Sequence, residues 1–321
     1  MPDRPGPPPA FVEGPVRVVV PATSANLGPG FDVFGLALDL VDELAAVALD
    51  GPGLRVEIVG EGADSLPRNE DHLIVRTMHR AFDAMGGRPA GLALTCVNRI
   101  PHARGLGSSA AAIVAGVLLA RAMVVDGPDR LPDASVLDLV ATLEGHPDNV
   151  AAALMGGFTL SWSDETEAVE EDGRAVLAAS AVRLEPHPDL MPIALVPSQG
   201  VATKAARALL PESVPHRDAA FNAGRSALLV HAITQDPSLL MTATEDRLHQ
   251  DARRPAFPRS HDVMSALRAE GVPAVISGAG PTVLALADVR TADVVPGLAD
   301  ADMRVLPLAP DRRGARSSTD G

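Results

Sequence analysis

The sequence predicts an α+β protein in which two halves share a cleft. Two observations support this fold class. Short runs rich in β-branched residues alternate with helical segments along most of the chain. The same mixture is repeated after a polar, acidic stretch near residues 165–190. The chain has 321 residues, enough for one large domain or two modest ones. We therefore place a domain boundary at about residue 170.

The predicted elements follow from local patterns. The run at 16–20 is β-branched and ends at a proline, as expected for a strand. The segment 108–123 is apolar on every side, so we predict a helix buried all round. The acidic segment 163–172 is predicted as a loop. The other predicted strands are within 34–50 and at 54–59, 91–97, 158–162, 191–196, 274–278 and 282–287. The other predicted helices are at 72–85, 134–143, 149–155, 203–210, 219–234, 238–248 and 261–270.

Both ends of the chain read as tails. The first residues are rich in proline, and the last are rich in arginine, serine and glycine, so neither end shows an apolar period. We predict a disordered tail over residues 1–14, an N-terminal domain over 15–170, a C-terminal domain over 171–309 and a second disordered tail over 310–321.

Composition excludes several classes of function. The net charge of -14 argues against nucleic acid and against an anionic membrane surface as partners. The single cysteine, Cys96, excludes an internal disulfide. No apolar run approaches the roughly 20 residues of a membrane span, and the N-terminus lacks the apolar core of a signal peptide. We predict a cytoplasmic protein that acts on a small molecule.

A glycine- and serine-rich loop at 101–111 precedes the apolar helix. Gly105 and Gly107 permit positive φ and close approach of the backbone to an anion. Ser108 and Ser109 stand at the helix start, where free N–H groups and the helix dipole favour phosphate. A simple helix cap needs only one serine and one glycine. The loop is therefore predicted to bind phosphate.

Two other glycine-loop interpretations fit less well. A Walker P-loop needs Gly-Lys followed by Ser or Thr, and the sequence contains no such run. A dinucleotide-binding fingerprint matches the spacing of Gly105, Gly107 and Ala110. It also needs an acidic residue at the end of the next strand, about 20 residues on. The nearest candidate, Asp126, lies in a Gly-Pro turn instead.

The loop also resembles a family motif. Pro101-His-Ala-Arg-Gly-Leu-Gly-Ser-Ser-Ala is similar to the second motif of the GHMP kinases, and segments 20–33 and 277–282 resemble the first and third. The resemblance implies a two-lobed GHMP kinase fold, with an N-terminal lobe like ribosomal protein S5 domain 2 and a ferredoxin-like C-terminal lobe. It also implies ATP as phosphate donor. The implied ATP-binding residues are Pro101, His102, Ala103, Arg104, Gly105, Leu106, Gly107, Ser108, Ser109, Ala110 and Ala111.

Within that superfamily, four segments resemble homoserine kinases: 23–32, 144–151, 203–207 and 246–253. The resemblance implies phosphorylation of the hydroxyl of L-homoserine in threonine biosynthesis. It assigns Asp32 to the substrate amine, and Arg207 and Arg253 to its carboxylate. Asn26 and Asn149 would hold the hydroxyl and amine ends. A homodimer and feedback inhibition by L-threonine are further implications.

The resemblance further implies that Ser109 and Glu144 ligate Mg²⁺. A glutamate at the C-terminal end of a helix opposes the helix dipole, a cost that a cation would offset. Asn149 completes the implied catalytic set with these two residues. We expect that no side chain removes the proton before transfer and that Asn149 orients the hydroxyl. The adjacent Asp148 is expected to point elsewhere.

Two positions depart from the family pattern. His72 stands where relatives often carry an asparagine near adenine, and Gln250-Asp-Ala-Arg253 lacks a tyrosine common before that arginine. Arg254 could then take the place of Arg253. Two alternatives stay open: a GHMP kinase for another small alcohol, and an inactive member that binds its ligand as a sensor.

Overall fold

The computed structural model describes residues 7–169, 175–201 and 203–319. The first half supplies the strands β1 (Val16–Asn26), β2 (Gly30–Leu49), β3 (Gly53–Gly60), β4 (Gly91–Asn98), β5 (Phe158–Val169) and β6 (Ala175–Leu184). Its helices are α1 (Leu73–Ala84), α2 (Ser108–Met123), α3 (Gly127–Arg130), α4 (Asp133–Glu144) and α5 (Asp148–Met155).

The second half supplies the strands β7 (Met191–Pro197), β8 (Ala274–Ile276), β9 (Val283–Ala287), β10 (Met303–Pro307) and β11 (Arg316–Thr319). Its helices are α6 (Thr203–Arg207), α7 (His216–Thr234), α8 (Leu240–Ala243), α9 (Gln250–Arg253) and α10 (Pro258–Ala269). Short 3₁₀ turns lie at Pro237–Leu239, Arg254–Ala256 and Ala292–Leu298.

The larger sheet is built around the long strand β2. The strand order is β11-β1-β2-β4-β3, with β3 and β4 parallel and the other pairs antiparallel. The first part of β2 pairs with β5, which in turn pairs with β6. Helix α2 packs against β1, β2 and α1, and its buried residues include Val114 and Val117. An apolar helix can lie there because its neighbours cover it on several sides.

The smaller sheet lies in the second half, and its strands run antiparallel in the order β10-β7-β9-β8. Helix α10 packs against β8 and β9. A separate apolar cluster fills this contact and includes Phe257, Leu267 and Val283. The predicted α+β class and the two-lobed arrangement are confirmed.

The predicted loop at 163–172 is wrong over residues 163–169, which continue β5 and pair with β6. The predicted boundary between 170 and 171 thus falls inside a β-hairpin whose second strand belongs to the larger sheet. Both strands are mostly exposed here, so no alternation of apolar and polar residues marked them. Residues 170–174 lie outside the described residues.

The predicted tails are partly ordered. At the N-terminal end, Phe11 forms a β-bridge with Val124 and packs edge-on against Phe82, with ring centroids 5.7 Å apart. At the C-terminal end, β11 pairs with Val16–Val19 of β1. Disorder is therefore wrong for these two segments, because the first packs on α1 and α2 and the second completes the edge of β1. Residues 1–6 and 320–321 lie outside the described residues.

The helix predicted at 238–248 is shorter in the structure, where α8 ends at Ala243. The rest of the predicted segment forms a tight turn before α9, in which the Asp246 carboxylate accepts the N–H groups of Leu248, His249 and Gln250. In the described part of the chain, no helix combines the length and the apolarity needed to cross a membrane.

Candidate active site

One cleft between the two sheets collects residues from across the sequence. The residues predicted to bind the substrate or the metal all line it, although they lie as far as 227 residues apart (253 − 26). The lining residues are Ala25, Asn26, Asp32, Ala103, Gly105, Gly107, Ser108, Ser109, Glu144, His146, Asp148, Asn149, Arg207, Arg253, Gly278 and Ala279.

The glycine- and serine-rich loop ends at the first turn of α2. Gly107 has φ +68°, and a Cβ there would lie 1.9 Å from Thr23 Oγ1, so only glycine fits. The first backbone bond of this turn runs from Ala111 N–H to Gly107 O. The N–H groups of Ser108, Ser109 and Ala110 precede it and have no acceptor within the helix. They make a candidate anion site at the N-terminal end of a helix 16 residues long.

Several other side chains of the loop do not face the cleft. Leu106, Ala110 and Ala111 are buried in the core. The guanidinium of Arg104 donates to the carbonyl oxygens of His102, Pro197 and Ser198 and is absent from the cleft lining. The structure therefore does not bring the Arg104 side chain to the phosphate position. The loop presents its backbone there, with Ser108 and Ser109.

Ser109 and Glu144 lie together at the edge of this anion site. Ser109 Oγ donates to Glu144 Oε2 over 2.9 Å. Burial raises the pKa of Glu144, and His146 and the Ser109 hydroxyl partly counter that effect. A half-buried carboxylate of this kind gains from a nearby cation.

Ser109 and Glu144, which are joined by a hydrogen bond, could both reach a single Mg²⁺ ion. At Mg–O distances of 2.0–2.1 Å, neighbouring ligand oxygens lie about 2.9 Å apart. The Ser109 and Glu144 oxygens have that separation. Within the described residues, no group of three or more His, Cys, Asp or Glu side chains is arranged to hold a metal. Two protein oxygens suit Mg²⁺, which keeps several waters and takes phosphate oxygens.

His146 is a residue that sequence reasoning missed. Its Nδ1 lies 2.7 Å from Asp148 Oδ1. Burial disfavours the charged ring, but the hydrogen bond to Asp148 and the charges of Asp148, Glu144 and Asp32 outweigh it and raise the pKa of His146 to about 9. The site thus holds a cationic imidazole at neutral pH. The His-Pro-Asp spacing at 146–148 was the available signal, because a turn at a helix start brings residues two apart together.

Asp148 and Asn149 were expected to point in different directions, yet both line the cleft. Asp148 Oδ1 accepts the Asn149 N–H at 2.7 Å, and Asn149 Nδ2 lies 3.3 Å from the same oxygen. Asn149 Oδ1 accepts a hydrogen bond from Thr23 Oγ1 at 2.7 Å. Thr23, on β1, is a further residue that sequence reasoning did not single out.

The opposite end of the cleft carries Asn26 and Asp32, which both have positive φ, +69° and +57°. Asparagine and aspartate tolerate this conformation better than most residues. Asn26 Nδ2 donates to Gly278 O at 2.8 Å, and Asn26 Oδ1 accepts the Asp32 N–H at 3.0 Å. Asp32 forms a bidentate ion pair with Arg207 at 2.8 and 3.0 Å. Asp32 and Arg207 are therefore each other's partners in this structure.

Arg253 is almost fully buried at the same end. Its Nη1 donates to Gly278 O at 3.3 Å, and its guanidinium lies over the Phe31 ring, 5.3 Å from the centroid. Its Nε has no hydrogen-bond partner among the described residues. A buried N–H without a partner is costly, so it marks a place for a ligand acceptor. Arg254 cannot replace Arg253 here, since it pairs with Asp262 at the surface.

A smaller, mostly apolar cleft adjoins the start of α2 and shares Ser108 and Ser109 with the first. His72 and His102 line it. Burial lowers the pKa of His72, and neither ring nitrogen has a partner among the described residues. His72, which differs from the family pattern, therefore lies beside the glycine- and serine-rich loop, where the family resemblance implies that adenine binds.

Comparisons with known proteins show the family to which this chain belongs. Profiles described as GHMP kinases N terminal domain and GHMP kinases C terminal match residues 72–157 and 227–295. The chain is 56% identical to a homoserine kinase of Streptomyces coelicolor over 307 residues, covering 96% of each protein. It is 47% identical to one of Mycobacterium tuberculosis over 270 residues, covering 84% of this chain and 83% of that protein. Among solved structures, a homoserine kinase of Cytophaga hutchinsonii aligns with a TM-score of 0.78 at 27% identity, covering 96% of this chain and 99% of that one.

Proposed function

The chain belongs to the homoserine kinases of the GHMP kinase superfamily, and from this premise we propose how its cleft carries out the reaction. The enzyme transfers the γ-phosphoryl group of ATP to the side-chain hydroxyl of L-homoserine and forms O-phospho-L-homoserine, a step of threonine biosynthesis. One observation carries the proposal: an anion site with an oxygen pair for a cation and a set of charged groups for an amino acid line the same cleft.

At the donor end, the free N–H groups of Ser108, Ser109 and Ala110 hold the phosphates of ATP. Ser109 and Glu144 would hold Mg²⁺, which neutralises charge on the phosphate oxygens when bound. The cationic His146 lies next to this pair and adds positive charge near the transferred group. Phosphoryl transfer depends chiefly on such positioning and charge neutralisation.

At the acceptor end, L-homoserine brings an ammonium and a carboxylate on one carbon. We assign the ammonium to Asp32 and the carboxylate to Arg253 and Arg207. Asp32 and Arg207 form an ion pair with each other in this structure. The substrate inserts between these two side chains, with its ammonium on Asp32 and its carboxylate on Arg207. The unpartnered Nε of Arg253 supports its share of the carboxylate. Asn26 and Asn149 then hold the amine and hydroxyl ends.

Asp148 is the carboxylate next to Asn149 that a mechanism with a general base would use. Its Oδ1 is occupied by His146 and by the N–H of Asn149. We propose that no side chain removes the hydroxyl proton before transfer and that Asn149 orients the hydroxyl. Asp148→Asn is then expected to lower kcat by no more than about tenfold, whereas loss of a general base costs about 10²–10⁴-fold.

Steady-state kinetics at saturating ATP, with thermal melting to verify folding, measure this effect. Asn149→Ala serves as the comparison and is expected to lower kcat more than Asp148→Asn does. Because Asp148 also keeps His146 charged, a folded Asp148→Asn enzyme that loses several powers of ten in kcat, far more than His146→Gln loses, would identify Asp148 as the base.

The function itself is tested by ATP consumption with a panel of homoserine, mevalonate, galactose and shikimate. We expect turnover with homoserine and not with the other three, because only homoserine pairs an ammonium with a carboxylate. Turnover with another alcohol alone would show a different GHMP kinase. Tight ATP binding without turnover of any of them would show an inactive sensor.

Three family implications and the localisation predicted from composition complete the proposal. Adenine occupies the apolar cleft that holds His72. L-Threonine inhibits by competing for Asp32 and Arg253, since it carries the same ammonium and carboxylate as homoserine. The enzyme acts in the cytoplasm as a homodimer, and the exposed apolar side chains Trp162 and Val182, on one face of the β5–β6 hairpin, suit such a contact.

A further inference from the structure

We propose that His249 is a positioning residue. Its uncharged ring accepts a hydrogen bond from Arg253 and so determines which edge of the Arg253 guanidinium meets the substrate. His249 belongs to the segment 246–253 and is buried. The consequence for substrate binding rests on the proposed function, in which Arg253 takes the carboxylate of homoserine. The observed position of the His249 ring does not depend on the proposed function.

The two ring nitrogens of His249 have different partners. Nε2 lies 2.8 Å from the carbonyl oxygen of Gly28, and a carbonyl oxygen can only accept, so Nε2 carries the proton. Nδ1 lies 3.3 Å from Arg253 Nη1, and a guanidinium can only donate, so Nδ1 presents a lone pair. Both contacts therefore require the same neutral tautomer.

The position of the ring is fixed from several sides. The carboxylate of Asp246 accepts the backbone N–H of His249 at 3.0 Å and is itself held by Asn222 Nδ2 at 2.8 Å. The Phe31 ring packs against the imidazole, with centroids 5.2 Å apart and an angle of 38° between the planes. The imidazole therefore has a fixed direction relative to Gly28 in the β1–β2 turn and to Phe31 and Asp32 at the start of β2.

The surroundings of His249 disfavour its charged form. Burial lowers its pKa most, and Arg253 acts in the same direction, while Asp246, the Gly28 carbonyl and Asp32 act against them. A proton on Nδ1 would face the N–H of Arg253, replacing an acceptor with a second donor and adding a like charge. The neutral ring is thus the form that can hold Arg253.

This contact determines how Arg253 is presented. Its Nη1 is shared between His249 Nδ1 and Gly278 O, both at 3.3 Å. Asn26 Nδ2 donates to the same Gly278 oxygen at 2.8 Å, so Arg253 and Asn26 share one acceptor. With Nη1 occupied, the edge that carries Nε is left without a partner among the described residues. That edge is the one offered to a carboxylate.

A matched pair of variants separates positioning from simple core packing. In His249→Asn, Oδ1 is as many bonds from the backbone as Nδ1 of histidine, so the acceptor for Arg253 is kept and the bond to Gly28 is lost. In His249→Gln, Nε2 keeps its place opposite Gly28, and the acceptor for Arg253 is lost. Both variants remove the ring and its contact with Phe31.

We expect His249→Asn to keep the KM for homoserine within about threefold of the wild type and His249→Gln to raise it by at least tenfold, about 1.4 kcal/mol. The KM for ATP should change in neither. Equal increases of the homoserine KM in both variants, or no increase in either, would overturn the proposal.

A second measurement needs no variant. ¹⁵N NMR of the histidine-labelled wild-type enzyme at neutral pH reports the tautomer of His249, whose signal is assigned through the contact of the imidazole with the Phe31 ring. We expect a neutral ring with the proton on Nε2. A charged ring or a proton on Nδ1 refutes the proposal, even if neither variant folds. A wild-type enzyme that does not use homoserine would instead count against the proposed function and leave this result intact.

Discussion

Replacing Glu144 by glutamine is expected to lower kcat by about 10²–10³-fold, the loss typical when one preorganised electrostatic group is removed from a transition state. The variant keeps the size of the side chain and can still accept the hydrogen bond from Ser109 Oγ, 2.9 Å away in the wild type. It removes the negative charge that would hold Mg²⁺ at the end of α4. Because burial raises the pKa of Glu144, the uncharged amide also suits the site, and folding should be preserved.

The measurement is kcat as a function of Mg²⁺ concentration at saturating ATP and homoserine. The variant should need more Mg²⁺ for half-maximal rate, as well as being slower. Glu57→Gln is the control, since Glu57 is exposed on β3, away from the cleft, and should leave both quantities unchanged. If Glu144→Gln stays within threefold of the wild-type kcat and has an unaltered Mg²⁺ dependence, the assignment of the metal pair is wrong.

The donor half of the site could be predicted from sequence because its chemistry is local. Gly105, Gly107, Ser108 and Ser109 are contiguous, and their roles depend on one turn at one helix start. Residue type and order are then sufficient, since a positive φ requires glycine and free N–H groups attract phosphate. The helix α2 was predicted with its observed ends for the same reason.

The parts that were missed depend on partners distant in sequence. β11 becomes a strand because the edge of β1, almost 300 residues earlier, offers it unpaired backbone groups (316 − 19 = 297). His249 is informative only because Gly28 and Arg253 meet its two nitrogens. The family resemblance placed Arg104 among the ATP-binding residues, and its side chain binds the carbonyl groups of Pro197 and Ser198 instead. None of these contacts leaves a periodic or local signal.

Replacement of Arg253 by lysine is expected to lower kcat/KM for homoserine by about 10²–10³-fold, equivalent to about 3–4 kcal/mol of lost transition-state stabilisation. Lysine keeps the positive charge but has no planar edge to present two parallel N–H groups to a carboxylate. It also cannot reproduce the contact of Arg253 with Gly278 O while filling the space over the Phe31 ring. The KM for ATP should not change, because the phosphate groups bind at the other end of the cleft.

A second substrate shows whether the loss concerns the carboxylate. 3-Amino-1-propanol has the hydroxyl and the ammonium of homoserine but no carboxylate, so the wild-type enzyme should discriminate strongly against it. In Arg253→Lys, kcat/KM for homoserine should fall while kcat/KM for 3-amino-1-propanol stays nearly constant. The ratio of the two kcat/KM values should therefore decrease by the same factor as the homoserine value. Arg254→Lys is the matched control, since Arg254 is the next residue and pairs with Asp262 at the surface. If Arg253→Lys slows both substrates equally, Arg253 serves the fold of the acceptor end and not the carboxylate, and Arg207 alone would have to bind that group.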